Sequence, residues 1–279
     1  MEELNNILKN VYKYVPTDYE KYILIRDVYP ISYEVKKISE QPIFFRNFFP
    51  QLKISEEQIA KITNRQFPQC AEGWFAIPKW WKIAATYSEA CEKIFTVALK
   101  KFGSEKLYTY FGGEKSYKIN EKNIVSCVKE ITEAGPFQQQ TAMAWQKLEE
   151  NQKEYDFFIF PAQFGFRYRL YEDWLKVSKE EIIKKITNTN EFCLGFFAGL
   201  SILLTHPERL EWEDGDGGGL QVVFPADVVK NKRYPPYEFF PKFVRWKKDQ
   251  NEADYYKESA IYFLQQNEFC TGTVTGFII

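Results

Sequence analysis

Apolar positions recur every three or four residues at Leu4, Ile7, Leu8, Val11 and Val15, which predicts an amphipathic helix over 3–15 that Pro16 ends. The same period returns at Ala90, Cys91, Ile94, Phe95, Ala98 and Leu99, predicting a helix over 88–102 closed by Gly103. Ser55-Glu-Glu-Gln58 is a capping box ahead of Ile59 and Ile62, so a short helix opens there. Further helices are predicted over 120–131, 136–151, 172–186 and 253–265. Residues 107–111 alternate like a strand and Gly112-Gly113 supplies a turn; 155–160 and 164–170 read as two strands joined by Pro161-Ala162-Gln163, and 220–224 and 270–279 as two more. The segment 72–81 reads as an aromatic strand or turn, and 41–50, with four Phe between two prolines, as a buried connector or short strand.

One run stands apart. From Phe192 to Leu204, thirteen residues are almost all apolar and none is charged. A membrane-crossing helix needs about 20 such residues, so this run predicts a buried central helix over about 190–204, with Asn190 as its cap, and no membrane partner. Helices and strands mix along the chain with no repeated strand–helix–strand unit. The expected fold is therefore α+β: one compact domain over 1–279, with a mixed or antiparallel sheet packed against several helices. The sheet is expected to include the 155–170 strands, 220–224 and the C-terminal strand. A weaker subdivision separates a mainly helical 1–135 from an α+β 136–279.

Composition narrows the class. With 45% apolar and 27% charged residues the chain is too rich in core-forming side chains to stay disordered. Lys and Arg number 37 against 38 Asp and Glu, which argues against coating DNA or an anionic membrane through overall basicity. Five scattered cysteines fit neither a disulfide framework nor a metal knuckle, and the mixed-charge start Met1-Glu-Glu-Leu-Asn lacks the features of a secretory signal, so a cytoplasmic location is expected. The 25 Phe, 18 Tyr and 7 Trp are an unusual aromatic load.

Four places carry candidate chemistry. The segment 230–248, KNKRYPPYEFFPKFVRWKK, sets seven basic residues against Glu238 alone and interleaves them with rings. Cations along a track with rings on which bases stack is how single strands of nucleic acid are held, which selects Lys232, Arg233, Tyr234, Tyr237, Arg245, Trp246 and Lys247 as a surface for nucleic acid or a protein partner. Pro235-Pro236 with flanking tyrosines also suits a protein contact. Arg167 and Arg169, alternate residues of a predicted strand, extend the same surface toward phosphate or carboxylate. The glycine-rich loop 208–219 holds Glu208, Glu211, Glu213, Asp214 and Asp216, opposed only by Arg209. Hard oxygen ligands of this kind suit Mg²⁺ or Ca²⁺, with Glu211, Glu213, Asp214 and Asp216 as the metal set, although Pro225 falls where an EF-hand loop starting at Asp214 needs its final Glu. His206, the single histidine, follows the apolar run and reads as a helix C-terminal cap or a surface residue ahead of a catalytic base.

No GxSxG, HExxH, GxGxxG after a strand, kinase set or RNP-type pattern is present. The expected function is accordingly a non-catalytic, intracellular binding or assembly protein that works through 230–248 with Arg167 and Arg169, without a cofactor. A metal-dependent hydrolase built on the acidic loop is the alternative, and a structural subunit of a complex is the third reading.

Overall fold

The structure, a computed structural model, describes residues 22–24, 34–66, 68, 71–102, 107–111, 117–118, 128, 131–132, 138–164, 167–169, 190–208, 221–224, 226–230, 238–245, 259–265 and 272–279. Its helices are α1 (Gln41–Arg46), α2 (Glu56–Thr63), α3 (Tyr87–Phe102), α4 (Gln138–Gln152) and α5 (Phe196–Thr205), with a 3-10 turn at Trp80–Lys82. The strands are β1 (Tyr22–Leu24), β2 (Gly73–Pro78), β3 (Leu107–Phe111), β4 (Tyr117–Lys118), β5 (Ile131–Thr132), β6 (Phe157–Phe164), β7 (Arg167–Arg169), β8 (Glu191–Cys193), β9 (Gln221–Val223), β10 (Val228–Lys230), β11 (Glu238–Arg245), β12 (Ser259–Gln265) and β13 (Gly272–Phe277).

Among the described residues the main sheet has eleven strands, along the path β2-β6-β13-β9-β11-β12-β3-β4 with β8 on β13 and β10 joining β11 to β5. Strand β12 runs parallel to β3 and β13 parallel to β9, while the other pairs are antiparallel, so the sheet is mixed. Strands β1 and β7 form a separate two-stranded ladder. The α+β expectation holds; of the strands expected to share the sheet, β6, β13 and β9 do so side by side, whereas β7 pairs with β1 instead. Strand β2 pairs along its whole length with β6, Gly73 opposite Ala162 and Pro78 opposite Phe157. Both strands are continuous apolar runs rather than alternating ones, the pattern of strands covered on both faces.

Helix α5 is the centre of the molecule. All ten of its residues are buried, and it packs against both α3 and β2. Helix α3 turns Ala90, Cys91, Ile94, Phe95 and Ala98 inward on the predicted stripe. Phe224, following β9, lies against α5 so closely that a Cβ on Gly199 would sit 2.0 Å from its ring. Burying one such aromatic or aliphatic side chain contributes about 1.5–3 kcal/mol, so the stripe of α3 and the whole of α5 contribute strongly to the driving force, together with the buried side chains of β2 and β6. No helix among the described residues is long and apolar enough to cross a membrane.

Several local expectations change. Residues 41–46 form a helix and not a connector or strand, because Pro42 falls in the first turn, where its missing N–H costs nothing. Residues 161–163 continue β6 instead of breaking it. The apolar helix starts at Phe196; Glu191–Cys193 is a strand, and Asn190, at φ 55°, turns the chain into it rather than capping a helix. Ser259–Gln265 is a strand paired on both sides, by β11 and β3, where a helix was expected. Ile131–Thr132 is likewise a strand paired with β10. The helices expected over 3–15 and 172–186 and the Gly112-Gly113 turn lie outside the described residues.

Candidate aromatic cleft

Helix α5 begins without a local cap. Gly195, at its N-cap position, is extended and has no side chain to accept the first helical N–H groups. Asp227, 1% exposed, does so instead: its Oδ2 accepts the N–H of Phe196, 31 residues before it, at 2.6 Å. The Tyr87 hydroxyl donates to the same oxygen at 2.6 Å, and the Phe197 N–H lies 3.4 Å from that hydroxyl. A Cβ on Gly195 would stand 2.7 Å from both Asp227 Oδ1 and Tyr87 Oη, so glycine is required for this approach. A carboxylate at the positive end of the helix is also favoured electrostatically.

Above Asp227 the surface opens into a cleft walled by Trp80, Tyr87, Trp145, Phe158 and Phe197. The rings hold one another. Trp145 stacks on Phe158 at 5.0 Å and 17°, Trp80 meets Tyr87 edge-on at 5.8 Å, and Tyr87 lies 6.4 Å from Phe197. Thr141, also in the wall, donates its hydroxyl to the Cys193 carbonyl at 2.9 Å. The cleft encloses about 460 Å³ of empty space, open solvent included. Beside it, Lys79 is fully buried, hydrogen-bonded to the Gln152 carbonyl at 2.7 Å and paired with Glu149. Its ammonium lies 4.9 Å from the Phe158 ring centre and 5.8 Å from that of Trp81, and burial pushes its pKa down from the usual lysine value.

The opposite end of α5 holds His206, which is fully buried rather than on the surface. Its backbone N–H caps the helix on the Ile202 carbonyl, as the cap reading expected. Its Nε2 accepts the Lys36 N–H at 3.0 Å, which places the ring proton on Nδ1, 2.8 Å from Thr205 Oγ1. Burial lowers its pKa to about 4, the Lys36 and Lys101 charges adding to that, so the ring is neutral near pH 7. Lys36 and Lys101 donate to the Thr205 and Leu204 carbonyls, both at 2.7 Å, so cations meet the negative end of the helix.

Of the binding and metal candidates singled out from sequence, Arg167, Arg169 and Arg245 fall in described strands. Arg167 and Arg169 pair with Leu24 and Tyr22 in the separate ladder, whereas Arg245 ends β11 opposite Ser259 in the main sheet. Lys232, Arg233, Tyr234, Tyr237, Trp246 and Lys247 lie outside the described residues, as do Glu211, Glu213, Asp214 and Asp216. Among the described residues no cluster of His, Cys, Asp or Glu could hold a metal ion. Asp227, Tyr87, Trp80 and Trp145 were not singled out from sequence. The available signal was indirect: an apolar helix opening on Gly195 needs a cap from elsewhere, and Asp227 sits just after a predicted strand. Comparison of the chain with protein-family models, curated proteins and solved structures gave no match.

Proposed function

We propose that the chain is a non-catalytic binding or assembly protein whose working site is the aromatic cleft at the start of α5. One observation carries this reading: the wall is built from Trp80, Tyr87, Trp145, Phe158 and Phe197, while its polar groups, Asp227, Tyr87 and Thr141, hold α5 and β8 in place. Rings with a few convergent polar atoms suit recognition by shape and ring face. The test is a titration of the full chain with small neutral, cationic and anionic fragments, read at the indole N–H resonances of Trp80 and Trp145. At least one class is expected to shift both resonances saturably, and the Trp145→Leu variant to lose the effect at Trp80. If no class shifts either indole, the reading is wrong.

A second surface for the same kind of function is the basic-aromatic segment around β11. Residues Phe239–Arg245 are paired with β12 throughout, and Lys242–Val244 with β9, so this part of the segment is regular interior strand. A sheet face, whose neighbouring strands lie about 4.8 Å apart, is a platform on which single-stranded nucleic acid is read elsewhere. The seven basic residues of 230–248 and the rings among them are what favour nucleic acid or an acidic partner as its ligand.

A further inference from the structure

We infer that one face of the sheet formed by β11, β12, β3 and β4 binds single-stranded nucleic acid, with Tyr108, Tyr110 and Tyr262 as stacking rings and Lys242 and Lys118 as phosphate contacts. This rests on the reading of the basic-aromatic segment as a nucleic-acid surface and adds to it three rings from outside that segment.

Strand register places these residues together. Partners on neighbouring strands share a face, and every second residue along a strand returns to it. Lys242 of β11 is the partner of Tyr262 in β12, and Tyr262 is the partner of Tyr110 in β3. In the next row Val244 meets Ala260, Ala260 meets Tyr108, and Tyr108 meets Lys118 of β4. Three tyrosines and two lysines from four strands therefore occupy adjoining positions on one face.

The reverse face differs in kind. Phe111 is the partner of Phe263, Phe243 of Val222, and Phe239 of Val229, with Arg245 opposite Ser259 at the margin. Val229 is in turn opposite Ile131, which is fully buried in the strand on which α3 packs. Phe224, two positions beyond Val222, is fully buried against Gly199 of α5. The phenylalanine face is thus the one that helices cover, and the tyrosine–lysine face is its reverse. Tyrosine in place of phenylalanine suits a face that meets water or a polar ligand.

The residue types then select the occupant. Neighbouring strands lie about 4.8 Å apart and alternate residues about 6.6 Å, so the three tyrosine positions make a continuous patch. Every base has a flat face to stack there, and phosphates meet the lysines. The two rows hold, among the described residues, no carboxylate; Glu238, farther along the same face, is opposite Lys230. An acidic peptide would meet the lysines and leave the three ring positions without a stacking partner.

Fluorescence anisotropy of the full chain with oligo-dT and oligo-U of about twelve nucleotides, at several salt concentrations, tests this. Binding of either supports the inference, and the tighter of the two names DNA or RNA as the source. A duplex of the same length is expected to bind at least about tenfold more weakly, because its bases are already stacked on one another. Tyr110→Leu and Tyr262→Leu should each weaken binding at least about fivefold with the salt slope unchanged, while Tyr110→Phe and Tyr262→Phe bind like the parent. Lys242→Ala should lower the slope by about 0.7. Should the leucine variants not fold, ultraviolet cross-linking of the parent to oligo-U, mapped by mass spectrometry, is to place adducts on Tyr108, Tyr110 or Tyr262.

Leucine variants that bind like the parent, or adducts only elsewhere in the chain, overturn the role of this face and leave the basic segment as the nucleic-acid surface. A duplex as tight as the single strands overturns stacking. Polyglutamate bound as tightly as oligo-U, with the same loss in the leucine variants, replaces nucleic acid by an acidic partner. A parent chain that binds neither single strand at low salt overturns the inference and the nucleic-acid reading alike.

Discussion

The Tyr87 hydroxyl donates to Asp227 Oδ2 at 2.6 Å, joining residues 140 positions apart. The same carboxylate oxygen accepts the first N–H of α5, so one side chain both caps the buried helix and fixes a ring of the cleft wall. Fold and candidate site therefore share a part, and changes there are expected to be felt in both.

Asp227→Ala leaves the Phe196 N–H and the Tyr87 hydroxyl without their acceptor. A cost of about 1–3 kcal/mol is expected, with Asp227→Asn costing less because its amide oxygen still accepts. Gly195→Ala, whose Cβ would press on Asp227 and Tyr87, should cost about 2 kcal/mol through the same lost cap. Urea midpoints measure all three. Gly195→Ala as stable as the parent would show that the approach is not tight.

Gly199→Ala normally favours a helix by about 1 kcal/mol. Here the sign reverses, because the added Cβ would meet Phe224 at 2.0 Å, and about 1–3 kcal/mol of destabilisation is expected. Phe224→Leu in the same chain should recover part of the loss. A double-mutant cycle measures that coupling, and simple additivity would refute the steric account.

His206 links stability to pH. Its folded pKa of about 4 lies below the ordinary 6.5, so the unfolded chain binds its proton more readily. The contribution of the neutral ring is complete above pH 6.5 and is lost as pH falls from there toward 4, a total of about 3 kcal/mol. In His206→Gln this loss should be absent, so the parent-minus-variant difference falls between pH 6.5 and about 5, where carboxylates contribute least. Urea denaturation at each pH gives the slope; identical slopes in parent and variant would contradict it.

Lys79 and Glu149 make an unequal pair, since Lys79 is fully buried and the Glu149 side chain is 36% exposed. Among the described residues, Glu149→Ala leaves the buried ammonium with the Gln152 carbonyl, two rings and the charge of Asp156, and is expected to cost about 2–3 kcal/mol. Lys79→Met keeps the packing and removes the charge, so it should cost less, and adding it to Glu149→Ala should restore stability. Thermal unfolding ranks the three. A double variant weaker than Glu149→Ala alone would show that the ammonium is no burden.

Changing Lys232, Arg233, Arg245 and Lys247 together to Ala should weaken binding of single-stranded RNA or DNA and flatten its salt dependence, each lost phosphate contact lowering the slope by about 0.7. Fluorescence anisotropy at several salt concentrations measures this. No binding by the parent chain at low salt removes nucleic acid from the proposed partners.

Local pattern was enough for α3, β3 and β13, because each carries its own periodicity or ends at a turn residue. It failed at Ser259–Gln265, where the segment is sheet because β11 and β3 flank it, a choice made by partners distant in the chain. The cleft was less legible still. Trp80, Tyr87, Trp145, Phe158 and Asp227 come from five separate segments, and no spacing rule links them.

What the sequence by itself determined was the class of fold and its centre: an uncharged apolar run from Phe192 to Leu204 had to be buried, whatever covered it. Only the tertiary structure decided where that run becomes a helix and what meets its ends. Gly195 supplies no cap, so Asp227 reaches the Phe196 N–H from 31 residues away, and at the other end Lys36 and Lys101 bring their charges to the last carbonyls. Hydrophobic burial depends on composition and is legible along a chain; the pairing of buried polar groups depends on which distant segments meet, and only folding sets that.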